Sequence, residues 1–444
     1  MKLPLVIPVL IMFVISIFYY PHQSSAMYVG PDCNENSLLE FSSVSSYFTK
    51  KVAFVSNVGS ADPSNFTLYT VNSDGSGSLD KIGNIPYPST IRISSDGSKI
   101  AFLKDVNKTD QIFVANTNGS DSSQITYDDG SKSVIGITPD GKKVIYGMIQ
   151  NYIVSDGKNQ VQITNDAMKK VWPALSYDGS TLVFNDESRQ PRIFSVRTDG
   201  SDFHYVANGS LFSHTPVISA NGSKIVFSRD NPDDSNSKYL YSINTNGTDL
   251  VKLTPRPIYF QSTFTISLDG SKVAFDDGKD NAYYVSVVNS DGTRYTKLDD
   301  YDPYYSHMPL LSFNGSKLVY SAGNPTQWLF ITDLKKGNGP YLQVDSGTVG
   351  YEKEISPDTA EIAYTKIVNK TEEIMAATQD GRTFPLFDNS VFVPNPNCKI
   401  PYDGLVITHE PHFVNDAIVE SWYDKVSAWV WISIAVGAVV SFWV

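Results

Sequence analysis

Seven times between residues 90 and 365 the chain repeats one short phrase: an aliphatic residue, Ser or Thr, a variable residue, then Asp or Asn, followed by Gly in six of the seven, and a run of small or β-branched residues ending in an aromatic. The first copy is Ile93-Ser94-Ser95-Asp96-Gly97 leading into Ile100-Ala101-Phe102, and the others occupy 137–146, 175–184, 218–227, 266–275, 311–320 and 355–364. An internal repeat constrains the fold more tightly than any other feature of a sequence.

Each phrase reads as a β-hairpin. Alternating apolar residues run into Asp-Gly or Asn-Gly, the pair that accepts the positive φ of a tight turn, and a β-rich second strand follows. With the Asp or Asn as anchor, the steps from 96 to 140, 178, 221, 269, 314 and 358 are 44, 38, 43, 48, 45 and 44 residues, room for four short strands per unit. A second hairpin turn marks each unit: Asp74-Gly75, Asn118-Gly119, Asp156-Gly157, Asp199-Gly200, Asn246-Gly247, Asp291-Gly292, a looser Gly337-Asn338-Gly339, and Asp380-Gly381. Repeated four-stranded units too apolar to stand alone build a β-propeller, and eight second hairpins predict eight blades, with a seven-bladed ring as the alternative. The first blade has a second strand, Lys51-Val52-Ala53-Phe54, but its innermost strand is open: residues 38–42 and residues 398–404 each supply a candidate.

The segments "SSDGSKIAF", "SYDGSTLVF", "SANGSKIVF" and "SLDGSKVAF", with Pro upstream in "WPALSYDG", "TPVISANG" and "MPLLSFNG", resemble the WD40-like, or PD40, repeats of TolB-type propellers over residues 50–390. Dipeptidyl-peptidase propellers carry related repeats. The resemblance implies a domain that binds other proteins. The hydrolase domain that those peptidases place after the propeller is not expected here, for want of room.

The formal net charge of −12 and the absence of basic runs longer than a pair argue against a nucleic-acid partner, which needs clustered Lys and Arg. The ends predict an exported protein. Residues 3–20 form an apolar run behind a single Lys, and Ser24-Ser25-Ala26 offers the small residues of a cleavage site, so residues 1–26 read as a signal peptide or, uncleaved, a signal anchor. The propeller is expected over 37–390, a closure segment and polar spacer over 391–427, and a hydrophobic tail over 428–444. That tail is 17 apolar residues, short of the roughly 20 that span a bilayer. Small residues at Asn415-Asp416-Ala417, a polar spacer and the tail are the ordered parts of a GPI-attachment signal, with Asn415 the attachment residue; a short transmembrane anchor is the rival.

Eight Asn-X-Ser/Thr sites, Asn65, Asn107, Asn118, Asn208, Asn221, Asn246, Asn314 and Asn369, are candidates for glycosylation. Five of them are Asn-Gly-Ser/Thr, a sequence that tight turns demand in any case. The two cysteines, Cys33 and Cys398, flank the repeats, so a closed ring in an oxidising compartment brings them together as one disulfide.

Signals of catalysis are weak. Residues 136–143 come one letter short of a phosphate-binding loop but coincide with a repeat turn, and His409-Glu410-Pro411-His412 lacks the spacing of a zinc-protease helix. No cofactor and no metal site is expected; the acidic runs at 276–280 and 230–234 lack the alternation of a calcium loop and read as solvated loops. Aligning the repeats seven residues before each anchor places Ser89, Ser133, Val171, His214, Ser262, His307 and Tyr351 at one mouth of the channel, with Trp172, Met308 and Glu352 beside them. Of these, Ser89, Ser133, Trp172, His214, Ser262, His307 and Tyr351 form a candidate ligand-binding rim. The residues therefore predict a monomeric, membrane-anchored scaffold for a protein or glycan on the extracellular face. The alternative is a secreted lyase- or glycosidase-type enzyme using carboxylates among Glu352, Glu354 and Asp302.

Deleting residues 428–444 is expected to release the folded protein into the medium. A phosphatidylinositol-cleaving phospholipase would release the full-length product only under GPI anchoring. A truncated protein that stays with the membrane would move the anchor to residues 3–20.

Overall fold

The computed structural model describes residues 26–28, 39–40, 51–56, 66–85, 91–165, 168–188, 190–209, 216–259, 262–278, 284–298, 306–322, 328–336, 342–345, 349–355, 361–368, 371–378, 380–386 and 406–408. They form eight antiparallel sheets whose strands run in sequence order, each sheet one blade of a closed propeller. Blade 1 is Leu39–Glu40, Lys51–Ser56, Phe66–Asn72 and Asp80–Ile85. Blade 4 shows the full pattern: Lys170–Leu175, Thr181–Asp186, Arg192–Arg197 and His204–Asn208. Blade 5 adds a fifth short strand, Ile258–Tyr259, on its third strand Asp234–Asn244. Among the described residues the one helical segment is a 3-10 turn, Leu334–Lys336, and no helix is long and apolar enough to cross a membrane.

The repeated phrase folds as its residue types require. In blade 2 the Asp96 carboxylate accepts hydrogen bonds from the Ser98 N–H (3.0 Å) and the Ser94 hydroxyl (2.5 Å), while the Lys99 N–H donates to Ser94 Oγ (3.0 Å). The same pattern recurs around Asp178 in blade 4 and Asp269 in blade 6. Gly97 follows at φ 66°, a conformation that costs glycine little. Ser, Asp and Gly in the phrase are thus one hydrogen-bonded turn.

Behind the turn, the second strand alternates its side chains between the two neighbouring blades. The closing aromatic always packs on the preceding blade: Phe54, Phe102, Tyr146, Phe184, Phe227, Phe275, Tyr320 and Tyr364 each lie in the junction before their own blade. The residue before it, from Ala53 and Ala101 to Val319 and Ala363, packs on the following one. Across the sheet five of these aromatics stack on a third-strand partner, as Phe184 does on Phe194 at 5.8 Å and Tyr320 on Phe330 at 5.4 Å. The leading aliphatics Ile93, Ile137, Ile218, Ile266 and Leu311 are buried in the same junctions, and Leu175 is partly so. The side chain of Ile355 lies outside the described residues.

The open question of blade 1 is answered by Leu39–Glu40, which pairs with the second strand as Leu39↔Ser56 and Glu40↔Val55. Blade 1 therefore takes all its strands from the beginning of the chain. The ring shuts by apolar contact, with Val52, Phe54 and Val71 of blade 1 against Ala363, Ile374, Ala376 and Leu386 of blade 8. Outside the blades, Ala26–Tyr28 pairs antiparallel with Val406–Thr408. Cys33, Cys398, Asn415 and residues 428–444 lie outside the described residues.

Truncating one wedge, Phe227→Ala, is expected to lower unfolding free energy by about 3–5 kcal/mol. Gly119→Ala should also destabilise, because φ is +82° and a Cβ there would lie 2.5 Å from the Lys81 carbonyl oxygen. Urea titrations test both; a Phe227→Ala loss below about 1 kcal/mol would contradict the wedge reading.

Candidate functional site

The strand connections divide the propeller into two faces. The first-to-second and third-to-fourth strand turns open on one, the turn face. The second-to-third strand turns and the links between blades open on the other, the crossover face.

At the turn face neighbouring inner turns bond to one another: Asp96 N–H to Pro139 O (3.3 Å), Asp178 N–H to Ala220 O (2.9 Å), Ala220 N–H to Leu268 O (2.8 Å) and Asp269 N–H to Phe313 O (3.0 Å). The acceptors Pro139, Ala220, Leu268 and Phe313 all sit at the variable position of the phrase, as does Tyr177. Tyr177 of blade 4 reaches past blade 3 to donate its hydroxyl to Ser95 O of blade 2 at 3.1 Å. That face is tight and internally bridged.

The crossover face is held differently, by buried lysines. Lys132 begins the innermost strand of blade 3, Lys132–Ile137. Its ammonium donates to the carbonyls of Asp128 (2.5 Å), Gly130 (2.9 Å) and Asp110 (3.3 Å). Lys170, at the same position in blade 4, donates to Met168 O (2.8 Å) and Gln150 O (3.1 Å). Each lysine is almost wholly buried and ties the link before its blade to the preceding blade. Burial pulls the Lys132 ammonium below its ordinary range, against the opposing pull of Asp128, Asp110 and Asp129. Lys238 in blade 5 donates to Ser262 O at 2.9 Å; burial depresses it well below the ordinary lysine value, with Asp276 and Asp230 resisting.

Buried carboxylates complete this set. Asp186 accepts from the Arg192 backbone N–H and guanidinium, both at 2.7 Å. Asp345 takes the Tyr364 hydroxyl and the Lys366 ammonium (2.6 Å). Asp276 and Asp277 are adjacent on the chain and serve different partners: Asp276 binds Thr263, and Asp277 binds Arg256 (2.8 Å), Ser286 (2.9 Å) and the Tyr295 hydroxyl. Burial and that carboxylate push the Tyr295 phenol up to about 12. Among the described residues no group of three or more His, Cys, Asp or Glu is placed to hold a metal ion.

Of the expected rim, Ser133 and Trp172 lie on innermost strands of blades 3 and 4, and Ser262 two residues before that of blade 6, Phe264–Ile266. The hydroxyls of Ser133 and Ser262 are enclosed and find no hydrogen-bond partner among the described residues. His307 and Tyr351 belong to the innermost strands Ser306–Leu311 and Val349–Ile355; their side chains, like those of Glu352 and Glu354, lie outside the described residues, as do Ser89, His214 and Asp302. Trp172 stands at φ 52° in a bulge between Val171 and Ala174, an unusual backbone for a bulky residue. Sequence reading passed over Lys132 and Lys170, one residue before Ser133 and Val171, and over Ile149, which sits at φ 58° in the second-to-third strand turn of blade 3 and is 67% exposed. Of the Asn-X-Ser/Thr sites, Asn118, Asn221, Asn246 and Asn314 are exposed on the turn face, while Asn107 and Asn208 lie toward the crossover face; Asn65 and Asn369 lie outside the described residues.

A ring of eight four-stranded blades with apolar junctions defines a β-propeller. The chain belongs to the TolB β-propeller domain family, or PD40, whose model matches residues 40–236 and 153–393. In fold it is similar to dipeptidyl peptidase 4 of Porphyromonas gingivalis, 13% identical at a TM-score of 0.57 over 83% of this chain and 60% of that one. It is also similar to an oligogalacturonate lyase in complex with manganese, 13% identical at TM-score 0.49 over 74% and 97% of the two chains. TolB from Acinetobacter baumannii is 12% identical at TM-score 0.38 over 68% and 80%. No curated protein matches the sequence.

The Lys238 pKa carries a sign that can be measured. Its folded value lies well below the ordinary 10.5, so its contribution to stability is full above 10.5 and is lost as pH falls toward the folded value. The stability difference between wild type and Lys238→Met should rise with pH up to about 10.5; a flat difference from pH 6 upward would contradict it.

Proposed function

We propose that the protein is an exported propeller, held at the outer surface of the membrane by its C-terminal segment, that binds a protein or glycan through its crossover face. The observation that carries this reading is the contrast between the two faces. Turns on one face are hydrogen-bonded to one another, leaving little of their backbone for a partner. On the other, buried Lys132 and Lys170 pin the links, while Trp172 on an innermost strand and Ile149 in a strand-to-strand turn stand in strained backbone, and strain of that kind clusters where proteins meet ligands. Glycans on Asn118, Asn221, Asn246 and Asn314 would cover the turn face at four points, against Asn107 and Asn208 toward the crossover face. Pairing of Met27 with Ile407 and of Tyr28 with Val406 joins the two flanking segments, which suits a single tether.

A photo-crosslinking residue placed at Ile149, on the crossover face, or at Phe313, on the turn face, tests the assignment in native membranes. Protein or glycan adducts are expected from position 149 and few from 313. Adducts from 313 alone, or from neither, would overturn it.

A further inference from the structure

We propose that the crossover loops of blades 2 to 4 form a docking surface for an extended segment of a partner protein in which an apolar side chain stands next to Lys or Arg. The proposal rests on the binding reading above and names its partner class.

Three residues, Tyr127, Ile149 and Trp172, compose the surface, and its continuity can be followed contact by contact. Tyr127, 68% exposed, lies in the link from blade 2 to blade 3, next to Asp128. The Asp128 carbonyl accepts from Lys132, and Lys132 pairs in register with Met148, the neighbour of Ile149. Gln150, on the other side of Ile149, gives its carbonyl to Lys170, which also binds Met168 O and stands two residues before Trp172. Tyr127 and Ile149 are therefore exposed side chains mounted on loops whose positions two buried ammonium groups fix, and the half-buried Trp172 stands beside them on the innermost strand of blade 4. Rigid, exposed apolar side chains spare a partner the entropy of ordering them, which is how a few residues come to dominate an interface.

Ile149 is the specific sign. A β-branched residue at φ 58° is an outlier that glycine would relieve, and its side chain is 67% exposed, so burial does not explain why isoleucine stands there. The surroundings choose the partner's charge. Asp110, Asp128 and Asp129 surround Lys132, three carboxylates to one ammonium, and the whole chain carries −12. An acidic rim beside exposed aliphatic and aromatic groups complements a segment that is both apolar and basic.

The probe is an array of synthetic octapeptides pairing Leu or Phe with Arg or Lys, alongside counterparts with Glu or Ser in the basic position, read with the full-length protein. Selective binding of the basic–apolar set is expected. Ile149→Gly should raise the melting temperature while weakening the best peptide about tenfold or more, and Tyr127→Ala should weaken it comparably without moving the melting temperature. Asp129→Lys should shift preference away from Arg and Lys. Wild-type binding by Ile149→Gly, or no preference for the basic set, would overturn the proposal. A glycan array that binds while the peptides do not would overturn the peptide class and leave the binding reading standing, whereas absence of crosslinks at position 149 would remove both.

Discussion

The structure depends on one repeated contact, the aromatic side chain that each second strand drives into the preceding blade. A four-stranded blade has two apolar faces and no core of its own, so it is stable only between neighbours. Fully burying an aromatic side chain contributes about 1.5–3 kcal/mol, and the wedge recurs at all eight junctions. Closure follows from the same contact. Phe54 enters the junction with blade 8 as Phe102 enters that with blade 1, so no strand borrowed from the other end of the chain is needed.

What the wedge fixes, it fixes for strands and inner turns alone. The turns repeat because one Ser-Asp-Gly hydrogen-bond pattern satisfies them, and among the described residues the inner turns of blades 2 and 3, and those of blades 4 to 7, bond to their neighbours. The crossover links vary in length and sequence and so must be secured one by one. Lys132 and Lys170 do this with ammonium-to-carbonyl bonds, Asp186 and Asp345 with ion pairs. Buried charges contribute little net stability, because desolvation offsets their attraction, but they select one loop geometry over others. A face whose loops are individually locked can present the same side chains to a partner every time it is met.

How much of this the sequence discloses follows from the same division. Strands, turns and blade number are legible because the repeat states them seven times and the second hairpins an eighth. The inner strand of blade 1 is not, since Leu39–Glu40 is two residues long and carries no repeat phrase. The crossover face is obscure for a physical reason: Lys132 and Lys170 sit where the repeat otherwise has varied residues, and a lysine in sequence reads as solvent-exposed until the fold encloses it. Tyr177 occupies the variable letter of the phrase, and its bond to Ser95 joins residues 82 apart. Positive φ at Ile149 and Trp172 contradicts the residue type, so no sequence rule announces it. Ser133 and Trp172, which the repeat spacing does single out, lie on innermost strands close to the two lysines.

The central claim, that the ring closes through the apolar junction of blades 8 and 1 without a strand from the other terminus, is most directly tested by hydrogen exchange on a chain truncated after residue 393. Phe54, Val71, Ile374 and Ala376 should stay as protected as the equivalent positions of the junction between blades 4 and 5, within a single cooperative transition. Selective loss of protection in blades 1 and 8, with the other blades unchanged, would mean that the segment beyond residue 393 holds the ring shut.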